Sequence, residues 1–274
     1  MKSGSKKSNI VFEILLWVLS IVIIYPLLMV IFTSFKEKRE ASSLSVALPR
    51  EWMWENYSKV LAEGSVFRSL FNSVFVAVVT VVIVLATASL LSYAIVRRDT
   101  KGCRLIDKLM TFGIIAPFAA MPTMQLLQML GIYGGLWGLI LVYSALYLPF
   151  SYMMISSYIK GLPRDLDEAA VIDGATGMSL FIRVIAPLLK PIATTVMILV
   201  FMWAWNELQI PMYLLSSSTK YTLPMSVYSF YGAQSTSWNL VCADVIVVSL
   251  PIIILYCFAQ KYIVDGMTAG AVKA

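Results

Sequence analysis

Histidine is absent from this 274-residue chain, and acidic and basic residues together make up only 13% of it. Without an imidazole, a histidine-ligated metal site and a histidine general base are both excluded. So low a charge content excludes an ordinary water-soluble domain, in which about a quarter of residues are charged. Cysteine is scarce as well. Cys103, Cys242 and Cys257 show no C-x-x-C spacing, so neither a zinc ribbon nor a redox pair is indicated, and they read as small buried apolar residues. No G-x-x-x-x-G-K-[ST] phosphate loop, no G-x-S-x-G elbow and no pair of acids at catalytic spacing is present. The residues for ATP hydrolysis or for hydrolysis within the membrane are therefore missing.

What the chain has instead is long apolar runs: 59% of its residues are hydrophobic and its mean hydropathy is +0.82. A bilayer core needs about 20 apolar residues per helix. Six stretches qualify, near 10–35, 70–96, 109–130, 136–157, 190–215 and 240–263. The fold class expected is an all-α polytopic membrane protein with six transmembrane helices in a single domain over residues 1–274. The first run follows Lys2, Lys6 and Lys7, but it is too long for a signal-peptide core and reads as an uncleaved span. "GIYGG" at 131–135 allows only a tight reversal.

Six spans put both termini on one side. The faces holding the termini, the loop at 97–108 and the loop at 158–190 carry 14 Lys and Arg residues, and the opposite faces carry 7. Basic residues concentrate on the cytoplasmic side. Both termini and the loop 158–189 are thus expected in the cytoplasm, on the inner or plasma membrane. The net charge of +6 follows from the same rule and requires no nucleic acid.

That cytoplasmic loop contains "PRDLDEAAVIDGATG", with Asp165, Asp167, Glu168 and Asp173 inside nine positions. Pro163 suits a helix start, and Asp165 with Glu168 has the spacing of an Asp-type capping box. On a helix from 166, Leu166, Ala170 and Gly174 line up at i, i+4 as a smooth face, with Glu168 and Ile172 on the next ridge. Gly174 and Gly177 interrupt that helix, and "MSLFIRVIAP" reads as a second short helix stopping near Pro187. A connector lying on the membrane surface is the plainer reading. Against it, anionic lipid favours a cationic face, whereas small residues beside acids suit a protein cleft.

Glu168, Ala169, Ala170 and Gly174, with Pro187 thirteen residues further on, resemble the EAA motif of ABC importer permeases. Where that pattern ends Ile-x-Leu-Pro, this chain has Val184, Ile185, Ala186 and Pro187. The resemblance extends over essentially the whole chain. "YPLLMVIFTSFK", "LPREWMWENYSKVL", "FRSLFNS", "SYAIVRR", "WAWNELQIPMYLL" and "QKYIVDGMTAGAVK" resemble, in order and spacing, the maltose-type second permease subunit of the carbohydrate-uptake branch. Glycerol-phosphate-type relatives are close to the same pattern. The resemblance implies a type I ABC importer permease fold whose cytoplasmic EAA loop docks on an ATPase through Glu168, Ala169, Ala170, Asp173 and Gly174. It also implies a second permease subunit, two cytoplasmic ATPase subunits and an extracytoplasmic sugar-binding protein as partners. The chain itself is then a non-catalytic subunit without a cofactor, the ATP being used by the partner ATPase.

Two acids fall inside spans, Glu207 in the fifth and Asp244 near the start of the sixth. Buried acids are costly in a bilayer, by roughly 2.5–3.5 kcal/mol each, and usually face the bundle or an aqueous cavity. Trp205, Asn206 and Glu207, beside Trp203, suit a sugar path, and Asp244 is a further candidate. A helix–helix hydrogen bond or an interfacial position explains Glu207 as well. The loop 216–239, with Tyr221, Tyr228, Tyr231 and Trp238, is a candidate contact for the binding protein, or an interfacial aromatic belt. An ion-coupled secondary transporter using Glu207 and Asp244 is the alternative function, although the chain shows no internal repeat of the kind such transporters often carry.

Overall fold

A computed structural model describes residues 4–63, 65–98, 100–231 and 236–271. These residues are mostly helical, with no strand among them. The chain divides into two compact units, Met1–Phe67 with Pro224–Pro251, and Arg68–Leu223 with Ile252–Ala274.

Four helices among the described residues are long and apolar enough to cross a membrane: Leu15–Ser34, Val66–Arg97, Leu136–Lys160 and Trp238–Phe258. A fifth arises if Gly177–Leu188 and Lys190–Asn206, bent by 77° from each other, form one broken span. The stretches expected at 10–35, 70–96, 136–157 and 240–263 each fall on one of the four.

In the first unit α1 (Gly4–Ser34) is followed by α2 (Lys38–Ala41) and α3 (Glu55–Glu63). The end of α1 is held by residues of the "ENY" stretch. Asn56 Nδ2 donates to the carbonyls of Ser34 and Lys36 at 2.8 and 3.0 Å, and the Tyr57 hydroxyl meets Ser34 Oγ at 2.8 Å. Asn239 Nδ2 donates to Asn56 Oδ1 at 2.9 Å. Carbonyls at a helix end have no intrahelical donor, and buried side-chain amides supply it here. Lys36 is fully buried, its ammonium donating to the Ser45 carbonyl and hydroxyl.

The helix α4 (Val66–Arg97) leads into α5 (Lys101–Gly113), whose N-cap Thr100 accepts the Cys103 N–H at 3.2 Å. The third expected span, 109–130, is not one helix. It divides into the end of α5 and α6 (Ala120–Met129), separated by residues 114–119. Pro117 accounts for the interruption, since it lacks an N–H and disfavours helical geometry in the residue before it.

Next comes α7 (Leu136–Lys160), against which α5 packs. A Cβ on Gly113 would stand 2.9 Å from Pro149 Cγ, so only glycine permits this approach. One turn and a half earlier on α5, Asp107 Oδ1 accepts the Tyr152 hydroxyl at 2.6 Å.

Beyond α7 lie α8 (Asp165–Ile172), α9 (Gly177–Leu180), a π-helical turn at Phe181–Ile185, α10 (Ala186–Leu188) and α11 (Lys190–Asn206). The expected fifth span, 190–215, also divides. It ends at Asn206, Glu207 is extended at φ −71°, ψ 124°, and α12 (Gln209–Leu214) follows. Pro211 sits four residues past Glu207, where its ring opposes the carbonyl a continuous helix would need. The final helix is α13 (Trp238–Ala271).

The core of the second unit joins α4, α7, the π turn and α11 through Val84, Ala88, Ile155, Ile159, Ile185 and Val196, all fully buried. Lipid tails are as apolar as these side chains, so close packing rather than escape from water holds them together.

Candidate functional site

The segment between α7 and α11 has two halves that differ in how they are held. The second half is anchored: Phe181, Ile185 and Leu189 are buried in the core just described, and the ring of Tyr93 of α4 meets Phe181 in a tilted contact at 5.6 Å between ring centroids. The first half is open. On α8 Val171 and Ile172 are exposed, Ile172 to 86%, and Met178 and Ile182 further along are exposed as well. Glu168, Ala169, Asp173 and Gly174 are also exposed, while Ala170 is buried beneath them. Exposed apolar side chains beside the carboxylates of Glu168 and Asp173 suit a protein cleft better than water.

Two features fix this arrangement. Gly174 has φ +84°, a left-handed conformation that closes the turn after α8, and a Cβ placed there would meet nothing within 4 Å. The requirement for glycine at this position is therefore conformational and not steric. The second feature is an ion pair. Arg97, the last residue of α4, approaches Asp167 of α8 at 2.5 Å between Nε and Oδ2, and its Nη2 reaches the Leu162 carbonyl at 3.4 Å. Both side chains are largely shielded from solvent, at 12% and 16% exposure. One arginine thus holds the loop at its start and α8 at its first turn.

The capping box expected from Asp165 and Glu168 does not form. Arg164 already has helical dihedrals (φ −69°, ψ −26°) and takes the N-cap position without a side-chain cap. Its carbonyl accepts the N–H groups of Asp167 and Glu168. The three acids Asp165, Asp167 and Glu168 therefore all lie in the first turn of α8, where the helix dipole favours negative charge.

Glu207 and Asp244 each have a hydrogen-bonding partner. Glu207 Oε1 accepts the N–H groups of Gln209 and Ile210 at 2.9 and 3.2 Å, so its carboxylate caps α12 at the break that Pro211 imposes. Asn206 is exposed, its Nδ2 donating to the Met202 carbonyl at 2.8 Å, whereas Trp205 is buried against Phe201. Asp244 is fully buried and accepts the Ser226 hydroxyl at 2.7 Å. Neither Trp205 nor Asp244 is exposed to a cavity. Of the aromatic residues in the 216–239 loop, Tyr228 and Tyr231 are exposed, and Tyr231 meets Trp238 edge to face. Residues 232–235 of that loop, and Lys273 with the end of "TAGAVK", lie outside the described residues.

The Arg97–Asp167 ion pair is a contact that sequence reasoning passed over. "SYAIVRR" and the acidic loop both stood out in sequence, but nothing local links residues 70 positions apart.

Comparison with known proteins agrees with this architecture. Residues 94–269 match the family model described as binding-protein-dependent transport system inner membrane component. A multiple sugar-binding transport system permease protein of Streptococcus mutans is 33% identical over 279 residues, covering 100% of both chains. A diacetylchitobiose uptake system permease protein of Streptomyces coelicolor is 30% identical over 264 residues, covering 95% of this chain and 87% of that one. Among solved structures, a chain of a bacterial ABC transporter involved in the import of the acidic polysaccharide alginate superposes with a TM-score of 0.81 at 23% identity. That match covers 96% of this chain and 98% of the other.

Proposed function

This chain belongs to the family of binding-protein-dependent transport system inner membrane components, and from that premise we propose that it is the permease subunit of an ATP-driven sugar importer. Membership makes it a multi-pass inner-membrane protein that works with a partner permease, an ATPase and a substrate-binding protein. Six membrane passages complete the fold in this reading, with α5–α6 and α11–α12 each serving as one interrupted passage and both termini in the cytoplasm. The whole chain acts as one permease domain.

The segment 158–189 is the link to the energy source. Glu168, Ala169, Ala170, Asp173 and Gly174 shape the first helix for an ATPase cleft, and Ile172 and Met178 supply apolar contact. The observation that carries this is the contrast within the segment, an exposed, glycine-turned first half joined to a second half buried between α4, α7 and α11. A push on α8 has a stiff path into the membrane helices, because packed interiors transmit displacement. ATP binding and hydrolysis take place on the partner ATPase subunits, two of them in this reading. This chain holds no cofactor and performs no covalent step.

Sugar as the substrate rests on the relatives, which belong to a multiple sugar-binding transport system and to a diacetylchitobiose uptake system. In this reading Asn206 and Glu207 line the path with buried Trp205 packed beside them, and Asp244 is a separate candidate. The substrate assignment is tested by titrating the cognate binding protein with mono- and oligosaccharides, then measuring uptake of the tightest ligand in vesicles holding the assembled transporter. Binding of amino acids or metal ions in place of sugars would overturn it.

A further inference from the structure

At the end of α4 that carries Arg97, a groove of about 550 Å³ opens between α4 and the π turn. Its floor is apolar, with Leu90 exposed to 38%, Ala94 one turn on, and Met178 and Phe181 along the opposite wall. Its mouth holds Arg97 and Arg98. Arg98 also borders a second recess of about 210 Å³ that contains Arg104, Lys160 and Asp107.

The nearby acids are already engaged. Asp167 pairs with Arg97, and Asp107 accepts the Tyr152 hydroxyl. Arg98, exposed on the surface, makes no ion pair with a described residue. Leu90 and Ala94 lie at i, i+4 on α4, and Arg98 follows directly past its last residue with its N–H donating to the Ala94 carbonyl at 3.2 Å, so the three form one stripe about 12 Å long. That stripe is apolar where α4 runs in the bilayer and cationic where the helix ends.

We propose that this groove binds an anionic phospholipid, with the headgroup phosphate on Arg98 and an acyl chain along Leu90 and Ala94. Basic pockets between helices at a membrane face take acidic headgroups, and the guanidinium fork matches the geometry of a phosphate. An acidic side chain of a soluble partner would use the arginine but leave the apolar stripe empty; a lipid uses both. The proposal rests on the membrane placement of α4 and not on sugar as the substrate. A bound headgroup would sit beside the Arg97–Asp167 pair, where surface charge acts directly on the hold over α8.

The test is lipid retention by the assembled transporter, purified in a neutral detergent, exposed to phosphatidylglycerol or phosphatidylcholine and weighed by native mass spectrometry. Retention of phosphatidylglycerol over phosphatidylcholine is expected. Arg98→Gln should lower it about fivefold, the effect of one basic residue near a membrane surface, while Arg98→Lys keeps most of it. Ala94→Trp, which fills the stripe and leaves Arg98 in place, should lower it as well. Co-purification of the ATPase with each variant checks that the subunit is folded. Equal retention of the two lipids, or retention unchanged in Arg98→Gln, overturns the proposal. Displacement by millimolar inorganic phosphate overturns the lipid assignment in favour of a free-anion site.

Discussion

Arg97 at the end of α4 and Asp167 in the first turn of α8 form an ion pair shielded on both sides, and the same arginine reaches the Leu162 carbonyl at the start of the loop. A membrane helix and the exposed helix of the loop are thereby joined by charge as well as by packing. Breaking such a pair from one side leaves an unpaired, poorly solvated charge, at a cost of up to about 3 kcal/mol. Asp167→Asn and Arg97→Gln should each lower uptake more than they lower ATPase retention. The exchange Arg97→Asp with Asp167→Arg should recover part of the loss. Uptake and ATP turnover measured on the same vesicles check this; singles with normal uptake per ATP would remove the pair from the coupling route.

At Gly174 the backbone, not the space around it, sets the tolerance. With φ +84° and nothing within 4 Å of an added Cβ, Gly174→Ala should cost about 1–2 kcal/mol, and Gly174→Asn less, because asparagine enters left-handed conformations more readily. Gly174→Val should be the worst of the three. Thermal unfolding of the purified transporter ranks them, and Ala tolerated better than Asn would contradict the conformational argument.

The carboxylate of Glu207 caps a short helix, and that role needs an oxygen rather than a charge. Glu207→Gln should therefore retain most uptake, whereas Glu207→Ala, losing the cap, should destabilise the α11–α12 break by about 1 kcal/mol. Neither variant should alter dependence on an ion gradient. Uptake measured with and without an imposed proton gradient checks both points; abolition by Glu207→Gln would favour direct use of the charge.

Most long helices were legible in the sequence because an apolar run of about 20 residues has few other fates. The interruptions were not read as such. Pro117 and Pro211 stood in view, but a proline in a membrane helix is compatible with a bend as well as a break, and only the surrounding packing decides. The smooth face expected from Leu166, Ala170 and Gly174 is not presented whole, because Ala170 is buried while Leu166 and Gly174 are exposed. The cap assigned to Asp165 failed because Arg164 enters helical geometry one residue early, which a spacing pattern cannot register. The partners of Arg97, Glu207 and Asp244 were invisible for a different reason. Asp167 and Ser226 are distant in sequence from their partners, and the amides capped by Glu207 become free only once the helix breaks.

The central claim, that the open half of segment 158–189 is the site of attachment to the ATPase, is tested most directly by ATPase co-purification. Glu168→Lys combined with Asp173→Lys changes only exposed side chains of that half and leaves the turn at Gly174 intact. The variant should insert in the membrane at wild-type levels, lose the ATPase on purification and lose uptake with it. Full retention of the ATPase together with normal uptake would contradict the account.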